Sequence, residues 1–177
     1  GAARYLADLT CEIGSSSLSH SDGMRSIIRQ HLLDGLACAY IGCRLSTFRQ
    51  LAKLCGRTED GCSWPGCGEH RVTVPDGGML WAYAINASVF EDGSREGACH
   101  PAAVVVPTVV ARSKDRDCET IERAVVAGYD VMVRVARCGN PEFTRKGFHP
   151  TAITAPFGAA ATASVLLGHN VAKTEDA

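Results

Sequence analysis

The chain has 177 residues, of which 46% are hydrophobic and 21% are charged, a composition typical of a globular domain with its own core. Its 18 Lys and Arg residues face 19 Asp and Glu residues, so the net charge of −1 argues against a nucleic-acid-binding protein and gives no reason to expect a membrane partner. The longest uninterrupted apolar stretches reach about ten residues, whereas a membrane-spanning helix needs roughly 20, so no transmembrane segment is expected.

The spacing of apolar residues predicts an all-α domain, a helical bundle with at most one minor strand. Helices are predicted over 3–13, 24–43, 46–56, 78–91, 101–113, 118–138 and 150–168. Ser19, Ser21 and Asp22 are candidate N-caps of the second helix, and Gly56 is a candidate C-cap of the third. Residues 70–77 can hold a short strand, residues 57–70 form a loop by composition, and the polar tail 171–177 is expected to fray.

The nine cysteines are an odd number for a disulfide framework, and several of them, such as Cys38, lie inside apolar helical patterns. They are therefore expected to be reduced and to serve as small core residues. The N-terminus shows no basic segment followed by an apolar one, so no secretory signal is expected. These features together predict a cytoplasmic protein, or a protein of the mitochondrial matrix if the source is eukaryotic.

One group of residues has the composition of a metal site, namely Cys55, Cys62, Cys67 and His70. A structural zinc site usually presents two close ligand pairs, and the spacing here offers no second close pair. We therefore expect a loop rich in Gly and Cys without a metal. The Walker, GxGxxG, GxSxG and HExxH motifs do not occur, so nucleotide cofactors and serine-hydrolase chemistry have no support.

Two His-Pro dipeptides, His100-Pro101 and His149-Pro150, each begin an apolar helix after a charged loop that contains Gly. Because Pro is favoured at the first helical position, each histidine should lie near a helix N-terminus, whose partial positive charge keeps an imidazole neutral. A neutral imidazole can act as a general base, and the neighbouring free N–H groups can hold a carboxylate. The alternative is that each histidine only caps its helix.

The loops ahead of the two histidines are rich in charged and polar residues: Glu91, Asp92, Ser94, Arg95 and Glu96 before His100, and Arg145 and Lys146 before His149. Each loop thus places a cation near a candidate base. That arrangement suits binding a small polycarboxylate and removing a proton α to a carboxylate. The alternative is a pair of solvated charged loops with no shared site.

Four stretches resemble the MmgE/PrpD family, which includes 2-methylcitrate dehydratase, cis-aconitate decarboxylase and iminodisuccinate epimerase. They are HLLDGLACAYIG (31–42), WAYAINASVFEDGSREGACHPAAVVVP (81–107), VVAGYDVMVRVAR (125–137) and KGFHPTAITAPFGAAATASVLLG (146–168). Their order and spacing match the family over nearly the whole chain, and the GFHPTA…FGAAATA stretch is the most specific part. The resemblance implies a large all-α domain and lyase or isomerase chemistry without a cofactor on small di- or tricarboxylates.

The resemblance also implies that the acidic loop lines an active site together with the histidines of both His-Pro motifs. The residues that take catalytic roles are then Asp92, His100 and His149. The candidate substrate-binding residues are Glu91, Ser94, Arg95 and Lys146. The run from Asn86 to His100 is shorter than in many members, so either Glu91 or Asp92 corresponds to the family's acid.

Family members are typically more than twice as long, and their later sequence supplies a lysine, a histidine and a lid that do not occur here. The chain therefore resembles the N-terminal portion of the fold. One expectation is an enzyme, or a subunit of one, whose partners are a small polycarboxylate substrate and either a second copy in a homodimer or a chain that supplies the C-terminal half. The alternative is an inactive relative whose exposed apolar face serves as a helical dimerisation or interaction module.

Overall fold

The computed structural model describes residues 1–16 and 21–177, and in this part of the chain it contains nine helices and one short strand. The elements are α1 Ala2–Ser15, α2 Asp22–Gly42, α3 Ser46–Leu54, β1 Arg57–Cys62, α4 Val74–Asn86, α5 Ala102–Arg112, α6 Cys118–Gly139, α7 Glu142–Arg145, α8 Pro150–Leu167 and α9 Val171–Glu175. The predicted all-α class with at most one minor strand is confirmed.

Side-chain caps fix the starts of several helices. The Ser21 hydroxyl accepts from the backbone N–H of Met24 at 3.3 Å and begins α2, so one of its predicted caps is confirmed. Another predicted cap, Ser19, lies outside the described residues. At the start of α6 the Asp117 carboxylate accepts from the Thr120 N–H at 2.7 Å, and the hydrogen bonds from Thr120 lower the pKa of Asp117.

The strand is not where the sequence predicts it. Within 70–77 only Val72 pairs, bridging Arg57 and Cys62 of β1, which lies in the segment predicted as a loop. The reason is the early start of α4: the Thr73 hydroxyl caps the Asp76 N–H, and the following Val-Pro opens the helix four residues before the predicted start at 78. The predicted C-cap of α3 also shifts, to Cys55 instead of Gly56.

The tail does not fray, contrary to the prediction. Gly168 ends α8 in the left-handed conformation, with φ +67°, which a glycine adopts without a steric penalty. The Asn170 side chain then accepts from the Lys173 N–H at 3.0 Å and begins α9. This short helix packs on α1 and buries Thr174. A polar segment is thus ordered because it covers another helix.

The hydrophobic core is organised around α5, which contributes to two adjoining clusters. One lies between α2, α3, α4 and α5, and its largest side chains include Phe48, Leu80 and Ile85. The other lies between α2, α5, α6 and α8 and includes Ile28 and Leu166. The most extensive helix pair is α6 with α8. The core thus fixes the helices that carry both His-Pro dipeptides.

One helix of the described residues, α8, is long and apolar enough to cross a membrane by length and composition alone. Its Thr, Ser and Gly residues interrupt the apolar run without adding charge, which is why counting uninterrupted stretches missed it. Half of this segment is buried inside the fold, against α5 and α6 among others. Core helices of globular proteins meet the same criteria of length and apolar composition.

Candidate functional site

The acidic loop between α4 and α5 folds into a closed turn that lies on α6. The Ser94 N–H donates to the Cys99 carbonyl at 2.8 Å, and the Gly97 N–H donates to the Ser94 hydroxyl at 3.2 Å. Gly97 lies so close to α6 that an added Cβ would be 2.8 Å from the Cβ of Ala136. Hydrogen bonds within the loop and its close packing on α6 therefore hold the loop in this conformation.

Asp92 lies at the centre of the loop and joins three helices. Its Oδ2 accepts from the Tyr129 hydroxyl of α6 at 2.7 Å and contacts Nδ1 of His31 on α2, also at 2.7 Å. Its Oδ1 accepts from the Ala102 N–H at the start of α5 at 3.0 Å. The partial positive charge of that helix start favours the carboxylate. Asp92 is therefore a fixed anion, well placed to orient an imidazole.

His100 is held in a single tautomer by the same residue. Its Nδ1 lies 2.9 Å from the Asp92 carbonyl oxygen, and because a carbonyl can only accept, Nδ1 carries the proton. In the neutral ring the lone pair is then on Nε2, as a general base requires. The backbone N–H of His100 donates to the Thr151 hydroxyl at 3.0 Å, which ties this residue to the first turn of α8.

Glu91 does not face solvent. Its side chain is 0% exposed, and its Oε1 accepts from the Asn86 amide and lies 3.7 Å from Nδ1 of His100. Its other oxygen, Oε2, is buried without a partner among the described residues. Glu91 is thus a buried carboxylate beside the His100 ring, and its predicted contact with substrate stays a prediction.

His149 lies on the surface at the N-cap of α8. Its Nδ1 accepts from the Ala152 N–H at 3.3 Å, so His149 caps α8, and its predicted catalytic role stays a prediction. The equivalent cap of α5 comes from Asp92, not from His100. The two His-Pro dipeptides are neighbours through Thr151, but no hydrogen bond joins His149 to Asp92 or His100 within the described ranges 1–16 and 21–177.

The two cations predicted to bind substrate have no anionic partner among the described residues. Arg95 and Lys146 are exposed, and neither forms a salt bridge within the part of the chain that the structure describes. Ser94 is partly buried, and its hydroxyl accepts from the loop backbone, so it shapes the loop. The structure therefore brings Glu91, Asp92, Ser94 and His100 together, and leaves the two cations and His149 at the surface.

Two residues of this cluster, His31 and Tyr129, were missed by the sequence analysis. His31 follows Ile28 and precedes Gly35 at helical spacing, so a polar ring on the buried stripe of α2 was the available signal. The Tyr129 ring lies 5.1 Å from the His31 ring, centroid to centroid. Burial, followed by the charge and hydrogen bond of Asp92, raises the pKa of the Tyr129 hydroxyl far above its ordinary value.

The cysteine-containing loop does not assemble a metal site in the described residues. They contain no group of three or more His, Cys, Asp or Glu side chains that could hold a metal ion. Cys62 is buried at the end of β1, whereas Cys55 follows α3 and packs against the core. Burial raises the pKa of both thiols and so lowers their thiolate fraction.

Comparison with known proteins agrees with this architecture. No curated protein matches the chain. A family model, that of the MmgE/PrpD N-terminal domain, matches residues 4–177 and so covers nearly every residue, including the acidic loop, both His-Pro dipeptides and the helices that position them. The chain therefore belongs to the MmgE/PrpD family, of which it represents the N-terminal domain.

Proposed function

We propose that the protein is a lyase or isomerase, or a subunit of one, that removes a proton α to a carboxylate of a small di- or tricarboxylate without a cofactor. The family is typically one of dehydratases or lyases. The observation that carries the proposal is the 2.9 Å bond between Nδ1 of His100 and the Asp92 carbonyl, which leaves Nε2 as the basic atom. Glu91, at 3.7 Å, is placed to stabilise the ring once it takes a proton.

The chemical step needs a base and a way to stabilise negative charge. Nε2 of His100 takes the α-proton, and the electron pair of the C–H bond moves into the adjacent carboxylate. Cations fixed near that carboxylate lower the free energy of the intermediate, because charge develops there in the transition state. Arg95 and Lys146 are proposed for this role. Dehydration, decarboxylation and epimerisation can all proceed through such an intermediate.

Hydrogen exchange tests the proposal whichever product the reaction forms. The chain is incubated in D2O with cis-aconitate, 2-methylcitrate and other small di- and tricarboxylates, alone and with a chain that supplies the C-terminal half of the family fold. Loss of the α-proton signal in NMR, absent in His100→Gln but present in the control His70→Gln, supports the proposal. No exchange or turnover under either condition would refute it.

A second candidate function, a helical interaction module, is favoured by one observation on α2. Several of its large apolar side chains are exposed: Met24, Ile27, Leu33, Leu36, Tyr40 and Ile41. Leu33 is 66% exposed and Tyr40 is 60% exposed, and apolar side chains clustered along one helix mark an interaction surface. We propose a second copy of this chain as the partner. Light scattering should show a dimer that Leu33→Lys dissociates and the control Gln30→Lys does not.

A further inference from the structure

His31 lies where the buried stripe of α2 meets the acidic loop. Ile28, Gly35 and Cys38 of the same stripe are buried, whereas the side chain of His31 is 39% exposed. An imidazole in this position is neither a core residue nor a fully solvated one. Asp92 lies directly beside it, at 2.7 Å from Nδ1.

The surroundings of Asp92 fix the tautomer of His31. Oδ2 of this carboxylate accepts from the Tyr129 hydroxyl and Oδ1 accepts from the Ala102 N–H, so Asp92 can act only as an acceptor toward the ring. His31 therefore donates through Nδ1, and in the neutral ring the lone pair is on Nε2. That atom has no partner among the described residues, and it is absent from the buried unpaired atoms, so solvent reaches it.

The same reasoning applies to Nε2 of His100, so one residue orients two imidazoles. Asp92 holds His31 through its carboxylate and His100 through its backbone carbonyl. Each ring also has its own anion: Asp92 at 2.7 Å from His31, and Glu91 at 3.7 Å from His100. Two oriented imidazoles, each with a carboxylate to balance a gained proton, constitute a pair of acid–base groups.

We propose that His31 is a second catalytic acid–base residue of this site, acting together with His100; the inference rests on the proposed function. His100 takes the α-proton through Nε2, and the C–H electron pair moves into the substrate carboxylate. In a dehydration, that pair then forms the C=C bond as the C–O bond breaks, and protonated His31 gives its Nε2 proton to the departing oxygen, which leaves as water. In an epimerisation, His31 returns a proton to the opposite face of the carbon. Exchange of protons with water restores both rings, so no other reactant is needed.

The test separates proton abstraction from product formation. With a substrate that the wild type converts, His31→Gln should lower kcat by a factor on the order of 10² or more, as expected for loss of a general acid, with KM little changed. In a dehydration, α-proton exchange in D2O should persist in His31→Gln, because His100 is intact, and should disappear in His100→Gln. Added imidazole should partly restore turnover in His31→Ala. His70→Gln, at an exposed histidine, is the matched control.

Each outcome decides between the two proposals. If His31→Gln and His31→Ala keep the wild-type kcat, the role of His31 is refuted and the proposed function stands. If both lose activity only in proportion to a fall in Tm, and imidazole restores nothing, His31 has a structural role and the inference is again refuted. If the wild type neither exchanges nor converts any polycarboxylate, with or without the completing chain, the proposed function fails and the inference fails with it.

Discussion

Tyr129 donates its hydroxyl to Oδ2 of Asp92 at 2.7 Å, and this bond ties the longest helix of the described residues to the loop that carries the site. The hydroxyl is buried against a carboxylate, so loss of its proton would place two negative charges side by side in a region of low dielectric. Tyr129 therefore remains a donor at any ordinary pH. It shares one oxygen with His31, so the orientation of that imidazole depends on it.

This contact makes the stability of the fold sensitive to alkaline pH. The unfolded chain releases the Tyr129 proton near the ordinary pKa of 10.0, whereas the folded chain retains it, because burial and Asp92 raise the pKa. The stabilisation is thus fully present below pH 10.0 and is lost as the pH rises above it, by up to about 1.4 kcal/mol per pH unit. Urea unfolding of the wild type and Tyr129→Phe, measured between pH 8 and 11, should show a shallower alkaline loss in the variant. Equal slopes would contradict this account, and Tyr5→Phe serves as an exposed control.

Replacing Asp92 by Asn should reverse the tautomer of His31. An amide keeps an acceptor for the Ala102 N–H, but its NH2 group can turn toward Nδ1 of His31, and the ring then carries its proton on Nε2. Turnover should fall by a factor on the order of 10² to 10⁴, as for other bases held in the wrong tautomer. Long-range 1H–15N NMR of the imidazoles reports the tautomer directly, with or without substrate. Asp34 is an exposed acid on α2, the helix that carries His31, so the control Asp34→Asn should leave the His31 signals unchanged.

The sequence predicted the helices and one half of this cluster, for identifiable reasons. Helical spacing and the two His-Pro dipeptides are local signals, so the positions of α5, α8 and His100 followed from them. The contact between His31 and Asp92 joins residues 61 positions apart, and no local pattern states which face of α2 meets which loop. The tail was predicted to fray from its polar composition, which is a local property of the sequence. Its order comes instead from the packing of α9 on α1, a contact between distant segments.

The reactivity of the cysteines should follow their burial. Burial raises the pKa of the Cys38, Cys62 and Cys99 thiols, which lowers the thiolate fraction, and it also blocks access by reagents. Cys118 and Cys138 are exposed. Iodoacetamide at pH 8, followed by peptide mass spectrometry, should label the two exposed cysteines first and the three buried ones only in urea. Rapid labelling of Cys99 in the native protein would instead show that the acidic loop opens.

Gly128, in the middle of α6, should not tolerate a side chain. An added Cβ would lie 2.0 Å from the Thr162 hydroxyl of α8 and 2.8 Å from a methyl of Val105, where two helices are in close contact. Gly128→Ala should therefore lower the free energy of unfolding by about 1–3 kcal/mol, as overpacked cores do. Gly78→Ala is the matched control, because its Cβ would meet nothing within 4 Å on α4, and the gain in helix propensity should raise the stability by up to about 1 kcal/mol.

Removal of the clashing hydroxyl identifies the cause of that loss. In a double-mutant cycle with Thr162→Ala, the cost of Gly128→Ala should shrink but not vanish, because the nearest atom to the new Cβ is gone while the Val105 methyl at 2.8 Å and the Gly158 carbonyl oxygen at 3.3 Å still crowd it. Thr162→Ala alone removes a hydrogen bond to the Gly158 carbonyl at 2.8 Å, within α8 itself, and the buried γ-methyl of Thr162. Urea unfolding of the four proteins gives the coupling energy. If the two losses simply add, the contact between α6 and α8 is not what excludes a side chain at Gly128. The His100–Thr151 bond links α8 to the candidate site, so Gly128→Ala should also weaken activity where it remains folded.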